Sequence, residues 1–73
     1  MKLAQVVSDN VRYYRNRAGL TQESLGIKSK LHPDYIGRLE RGQDSISIPN
    51  LEKIAKALKI EPYLLLVTES YTN

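Results

Sequence analysis

Apolar residues recur at Leu3, Val7, Val11, Tyr14 and Ala18, spaced four, four, three and four residues apart. That spacing lays them along one stripe of an α-helix. The same period returns at Leu51, Ile54, Ala55 and Leu58. A chain patterned this way builds its core by packing helix against helix. The only alternating stretch is Ser45-Ile46-Ser47-Ile48, which a loop entering a helix explains better than a strand. Stop and start signals divide the remainder. Gly19 offers the left-handed residue that commonly ends a helix. Thr21 is placed to cap a second, short helix from about Gln22 to Ser29. Residue 24 is Ser, not Glu or Gln, so the reciprocal capping box is expected to be missing. His32-Pro33-Asp34 opens a third helix: proline suits the first position, and Asp34 opposes the positive end of the dipole. Gly42 stops it. Ser47 can cap a fourth helix with Pro49 in its first turn, and Glu61-Pro62 opens a short fifth that ends at residue 65 or 67. The pattern predicts an all-α, five-helix domain, with a tail over residues 68–73 that carries little and frays.

The whole chain, residues 1–73, is read as one small domain. It contains no cysteine and one histidine, so neither a disulfide nor a zinc site is expected, and no metal or cofactor is assigned. A domain this small has a lean core, which a second chain would help to complete. The longest uninterrupted apolar stretch is residues 63–67, far short of a membrane span. The N-terminus reaches a charge too soon for a secretory leader. A cytoplasmic protein with no membrane partner is the expectation. One histidine, no nucleophile paired with a base, and little room for a pocket argue against an enzyme or a small-molecule ligand. Residues 1–41 carry eight Lys/Arg against four Asp/Glu, and residues 42–73 carry three against four. The first half is thus +4 and the second −1, which suggests a polyanion contact on one side; a solvated surface would give the same numbers.

The second and third helices are separated by roughly Lys30-Leu31-His32. Two short helices joined this tightly form a helix-turn-helix, about residues 21–41, whose second member can lie in the DNA major groove. The motif needs a small residue at the crossing, an apolar residue in the turn and apolar residues on the inner face of the second helix. Gly26, Leu31, Ile36 and Leu39 meet those needs in order. Asp34, Gly37, Arg38 and Arg41 then share the outer face.

Three blocks carry a further resemblance: Ala18-Gly19-Leu20-Thr21-Gln22-Glu23-Ser24-Leu25, then Tyr35-Ile36-Gly37-Arg38-Leu39-Glu40-Arg41-Gly42, then Leu51-Glu52-Lys53-Ile54-Ala55-Lys56-Ala57-Leu58. In this order they resemble the Cro/phage-repressor-like helix-turn-helix family over roughly residues 6–66. The run Ile46-Ser47-Ile48-Pro49-Asn50-Leu51 and the small size look most like the controller proteins of restriction–modification systems. The resemblance implies a lambda-repressor-like fold and a homodimer that binds a palindromic operator in double-stranded DNA and regulates transcription. An antitoxin-type or phage-repressor-type protein, whose main task is to bind a protein partner, is the alternative. The chain departs from the family at three places. Gly26 stands where Ala is usual, Lys30 where Gly is frequent, and Pro33 where many relatives place a long polar base reader.

The resemblance implies a phosphate contact for Gln22, a backbone or thymine-methyl contact for Tyr35, and a structural ion pair between Arg15 and Glu40. For Gln22 the alternative is an exposed first-turn residue, and for Tyr35 a half-buried tyrosine packed on the second helix. His32 can cap the third helix or touch the DNA backbone. Arg38 is the base-reading candidate, because a guanidinium can bind guanine O6 and N7 through two bonds. Its alternative is an i,i+4 pair with Asp34, which would hold it ready when free. Gly37 would give that face room for close approach. Arg41 lies on the same face, and Ser45 and Ser47 can contact phosphate at the start of the fourth helix or simply cap it. Arg12, Arg17 and Lys28 are phosphate candidates by charge alone, and for each the alternative is a solvated side chain. Finally, residues 63–67 hold more apolar side chains than one helical face can bury. With Leu64 or Leu65 inward, others are left outside, so Tyr63, Leu64, Leu66 and Val67 are assigned to a dimer interface, the alternative being a compact monomer with an apolar end.

Overall fold

The computed structural model describes residues 2–68. The elements run α1 Leu3–Arg17, α2 Gln22–Ser29, α3 Pro33–Glu40 and α4 Ile48–Leu58, followed by a 3-10 turn at Pro62–Leu65. The α-helices among the described residues number four, not five. The Pro62 segment is only four residues long, too short to close more than one turn. No helix of the described residues is long and apolar enough to cross a membrane. Of the fraying tail expected over residues 68–73, Thr68 is described and exposed, and residues 69–73 lie outside the described residues.

The core collects Val7, Val11 and Tyr14 from α1, Leu25 from α2, Ile36 and Leu39 from α3, and Leu51, Ile54, Ala55 and Leu58 from α4. Leu65 closes it from the 3-10 turn, fully buried. The two ends of the first stripe fall outside. Leu3 opens α1 and is 55% exposed, and Ala18 caps that helix and is exposed. One buried polar group ties the ends of the chain together: Asn10 Nδ2 donates to the Val67 carbonyl at 2.9 Å.

The start of α2 differs from the sequence expectation. Thr21 Oγ1 accepts from Ser24 N, and Ser24 Oγ accepts from Thr21 N at 2.8 Å, so the reciprocal box is complete. A serine hydroxyl reaches the cap backbone that a longer Glu or Gln would otherwise reach. At the other end of α2, Lys30 adopts φ 61°, ψ 36°, and the Leu31 N–H returns to the Gly26 carbonyl at 2.8 Å. Lys59 ends α4 in the same way, with φ 60° and Ile60 N bonded to the Ala55 carbonyl. Each left-handed lysine is followed by an apolar residue, Leu31 or Ile60, that packs on the core. Burial of that next side chain holds a backbone angle that L-residues disfavour by about 1–2 kcal/mol.

Gly26 permits the tight helix crossing. A Cβ there would lie 2.8 Å from the Leu31 carbonyl oxygen and 3.0 Å from the Pro33 backbone. These are backbone atoms and cannot swing aside. The turn between α2 and α3 therefore closes directly over residue 26, which sets α3 beside α2 with its outer face free.

Candidate nucleic-acid interface

The outer face of α3 and the N-terminus of α2 form one shallow concavity. Gln22, Pro33, Asp34, Gly37, Arg38 and Arg41 line it, and Gln43 closes its edge. Ile36 and Leu39 point the opposite way and are buried, at 0% and 1% exposure. The amphipathic division of α3 thus turns its polar side outward as a set.

His32 caps α3: its Nδ1 accepts from the Asp34 backbone N–H at 3.0 Å. The Asp34 carboxylate lies 3.8 Å from the same nitrogen. A nitrogen that accepts the cap bond cannot also carry the proton for an ion pair, and the shorter bond decides for capping. Asp34 does not pair with Arg38. Instead Arg38 Nε donates to Asp44 Oδ2 at 3.0 Å, across the loop that follows α3. Gly42, at φ 73°, turns the chain back there, and Gln43 N bonds to the Arg38 carbonyl at 2.9 Å. That reversal brings Asp44 beside Arg38. Both side chains stay partly exposed, at 46% and 38%, so the pair is worth at most about 1 kcal/mol. It uses Nε and leaves the two terminal nitrogens of Arg38 for another acceptor.

Gly37 is not open space. A Cβ there would meet Arg41 Nη1 at 3.1 Å and Gln22 Oε1 at 3.3 Å. Both side chains lie over the glycine, which is why the expected room on that face is occupied. Arg41 also donates through Nε to Gln43 Oε1 at 3.2 Å. Tyr35 is half-buried, with its hydroxyl donating to the Ser45 carbonyl at 3.3 Å. The Ser45 side chain is exposed, and Ser47 Oγ accepts from Asn50 N at 3.2 Å as the cap of α4.

Beneath this face lies a buried carboxylate. Glu40 accepts from Arg15 Nε at 2.6 Å and from Arg15 Nη2 at 2.9 Å, with side-chain exposures of 3% for Glu40 and 13% for Arg15. Gln22 Nε2 adds a bond to the same carboxylate at 3.1 Å. Arg15 Nη1 reaches the Leu20 carbonyl at 2.9 Å, and Arg12 donates to the Glu40 carbonyl. One acid therefore joins α1, the start of α2 and the end of α3. That bond uses one N–H of the Gln22 amide and leaves the other for a further acceptor. Three partners were not legible in the sequence: Asp44 for Arg38, Gln22 for Glu40, and Arg12 for the Glu40 carbonyl. The charge of Arg12 was legible, but its carbonyl partner lies 28 residues away and carries no side-chain signal.

At the C-terminal end, Tyr63 is 60% exposed and Leu66 and Val67 are each 37% exposed, while Leu64 is half-buried against the core. An apolar surface is thus left beside the 3-10 turn. Among the described residues no group of His, Cys, Asp or Glu is arranged to hold a metal ion.

Comparison with known proteins places this geometry. Residues 11–65 match the family described as Helix-turn-helix. The chain is similar to the control protein C.SmaI of Serratia marcescens, 37% identical over all 73 residues and 87% of that protein. It is also similar to the control protein C.BamHI of Bacillus amyloliquefaciens, 41% identical over 70% of this chain and 63% of that one. Among solved structures, the restriction-modification controller protein C.AhdI from Aeromonas hydrophila superposes with a TM-score of 0.82 at 40% identity, covering 85% of this chain and 94% of the other.

Proposed function

The chain belongs to the Helix-turn-helix family, and from that premise we propose that it is a sequence-specific DNA-binding regulator of transcription, acting as a homodimer on a palindromic operator. The carrying observation is the outer face of α3, where Arg38, Arg41 and Asp34 stand together on a helix whose other face is locked into the core. An α-helix presented in this way fits the major groove, with its outer side chains toward base edges. The likeness to restriction-modification controller proteins supports the narrower role of governing restriction genes.

In this reading each group has a distinct task. Arg38 keeps its Nε bond to Asp44 and offers its two terminal nitrogens to guanine O6 and N7. A two-bond guanine contact is worth about 1–3 kcal/mol of discrimination against the wrong base. Asp34 shares the face and restricts which bases fit. Arg41, Ser45, Tyr35, His32 and the N-termini of α2 and α4 lie where phosphates flank the groove, with Gln22 and Ser47 orienting those ends. Arg15 and Glu40 touch no DNA and fix α3 relative to α1. Tyr63, Leu64, Leu66 and Val67 form the dimer contact, which sets the two recognition helices about 34 Å apart, one turn of DNA.

The test is binding of the purified chain to duplex DNA at rising salt. Affinity should fall because rising salt weakens the drive from counterion release, with a log–log slope of about −0.9 for each phosphate neutralised. A flat salt response, or no binding to any duplex, would remove the reading.

A further inference from the structure

A second charged surface lies away from the outer face of α3. The C-terminal part of α2 and the outer side of α4 border a shallow concavity lined by Lys28, Lys30, Lys53, Lys56 and Lys59, with Ala57 among them. All five lysines are exposed, and among the described residues none makes an ion pair. Among the described residues no carboxylate lines the concavity. On the α3 face, by contrast, Arg38 and Arg41 stand against Asp34 and Asp44. An anionic side chain approaching the lysine surface therefore meets no carboxylate among the described lining residues.

Lysines near helix C-termini complement the helix dipole, which accounts for Lys30 and Lys59 locally. It does not account for Lys53, which lies more than a turn before the end of α4 at Leu58. Helix C-termini also present carbonyls rather than N–H groups. A single phosphate would lack the backbone donors that hold it at a helix start. The ammonium groups are instead spread over a surface floored by Ala57 and their own methylene stems, which suits a partner with both charge and apolar contact. Position separates this surface from the operator. The two concavities share no lining residue, and the ten steps from Ile48 to Leu58 along α4 rise about 15 Å. The molecule itself measures only 28 × 23 × 19 Å.

We propose that this concavity docks an acidic segment of another protein, a helix with carboxylates flanking an apolar stripe. The carboxylates meet the lysine heads, and the stripe lies on Ala57 and the lysine stems. The proposal rests on the DNA-binding reading only for which side of the molecule the operator occupies. The test titrates the full chain, labelled with 15N, both free and bound to its operator. The probe is a synthetic helical peptide with Glu at i,i+4 positions beside a Leu stripe; the controls are the same peptide with Gln for Glu, and a non-operator duplex. Amide shifts should appear at residues 28–30 and 53–59 with the Glu peptide, in both states, and not with the Gln peptide. A Lys53→Gln/Lys56→Gln variant should lose the response while keeping operator affinity within about twofold, because no phosphate contact is removed. An equal response to the Gln peptide, no response, or shifts centred on α3 would overturn the proposal. So would a fall in operator affinity and salt slope in the variant, which would make the lysines DNA contacts. If the chain binds no operator, the DNA reading fails and the titration of the free chain still decides this one.

Discussion

Glu40 is the side chain on which the arrangement of α1, α2 and α3 depends. It ends α3, where a negative charge opposes the helix dipole, and it is almost fully removed from water. Only the two bonds from Arg15 and the one from Gln22 make that placement tolerable. Glu40→Ala leaves the Arg15 guanidinium buried without its acid, and should cost about 3–5 kcal/mol in urea unfolding. A loss no larger than that of a surface substitution would mean the pair does not hold the helices together. Asp44 has the opposite character: exposed, weakly bound, and placed to hold Arg38 outward. Asp44→Ala should lower the melting midpoint by no more than a few degrees, since an exposed pair contributes at most about 1 kcal/mol. It should alter base preference at the positions Arg38 reads, measured by competition among single-base operator variants. Unchanged preference would show that Asp44 does not position Arg38. Of these two partnerships, Arg15–Glu40 was legible only through family resemblance, because 25 residues separate the pair. The Asp44 contact was not legible at all. It depends on the reversal at Gly42, and a loop has no period from which a partner can be counted. The i,i+4 rule pointed to Asp34, whose neighbour turned out to be the His32 cap.

At the scale of the elements, the apolar stripes of α1, α3 and α4 and the crossing at Gly26 could be read directly. Helical period and turn signals are local, and local signals survive folding when the core agrees with them. The 3-10 turn was harder, because a run of apolar residues does not state its own helical type over four positions. Its exposed side chains carry the next prediction. Tyr63, Leu66 and Val67 remain partly outside while Leu65 fills the core. If they form the dimer contact, Leu66→Asp or Val67→Asp places an unpaired charge in an apolar interface. Sedimentation should then show a shift to monomer, with weaker operator binding. Variants that still sediment as dimers would put the interface elsewhere. Leu65→Asp would not be informative, since it would disrupt the core itself.

As a whole, the molecule separates three surfaces: the outer face of α3, the apolar end beside the 3-10 turn, and the lysine concavity at the ends of α2 and α4. The sequence showed a basic first half, but not that Lys28 and Lys30 are gathered with three lysines of the second half. Charge counted along a chain cannot see which helices fold beside each other. The central claim concerns the first two surfaces together, since a dimer that reads DNA needs two recognition helices in fixed register. It is tested most directly by a binding selection from a pool of randomised duplexes, run for the native chain and for Arg38→Ala. The native chain should enrich a palindrome with half-site centres about 34 Å apart, and Arg38→Ala should lose preference at one symmetric pair of guanine positions, by about 1–3 kcal/mol. No enriched sequence, an isolated half-site, or base preferences that Arg38→Ala leaves unchanged at every position would contradict the account.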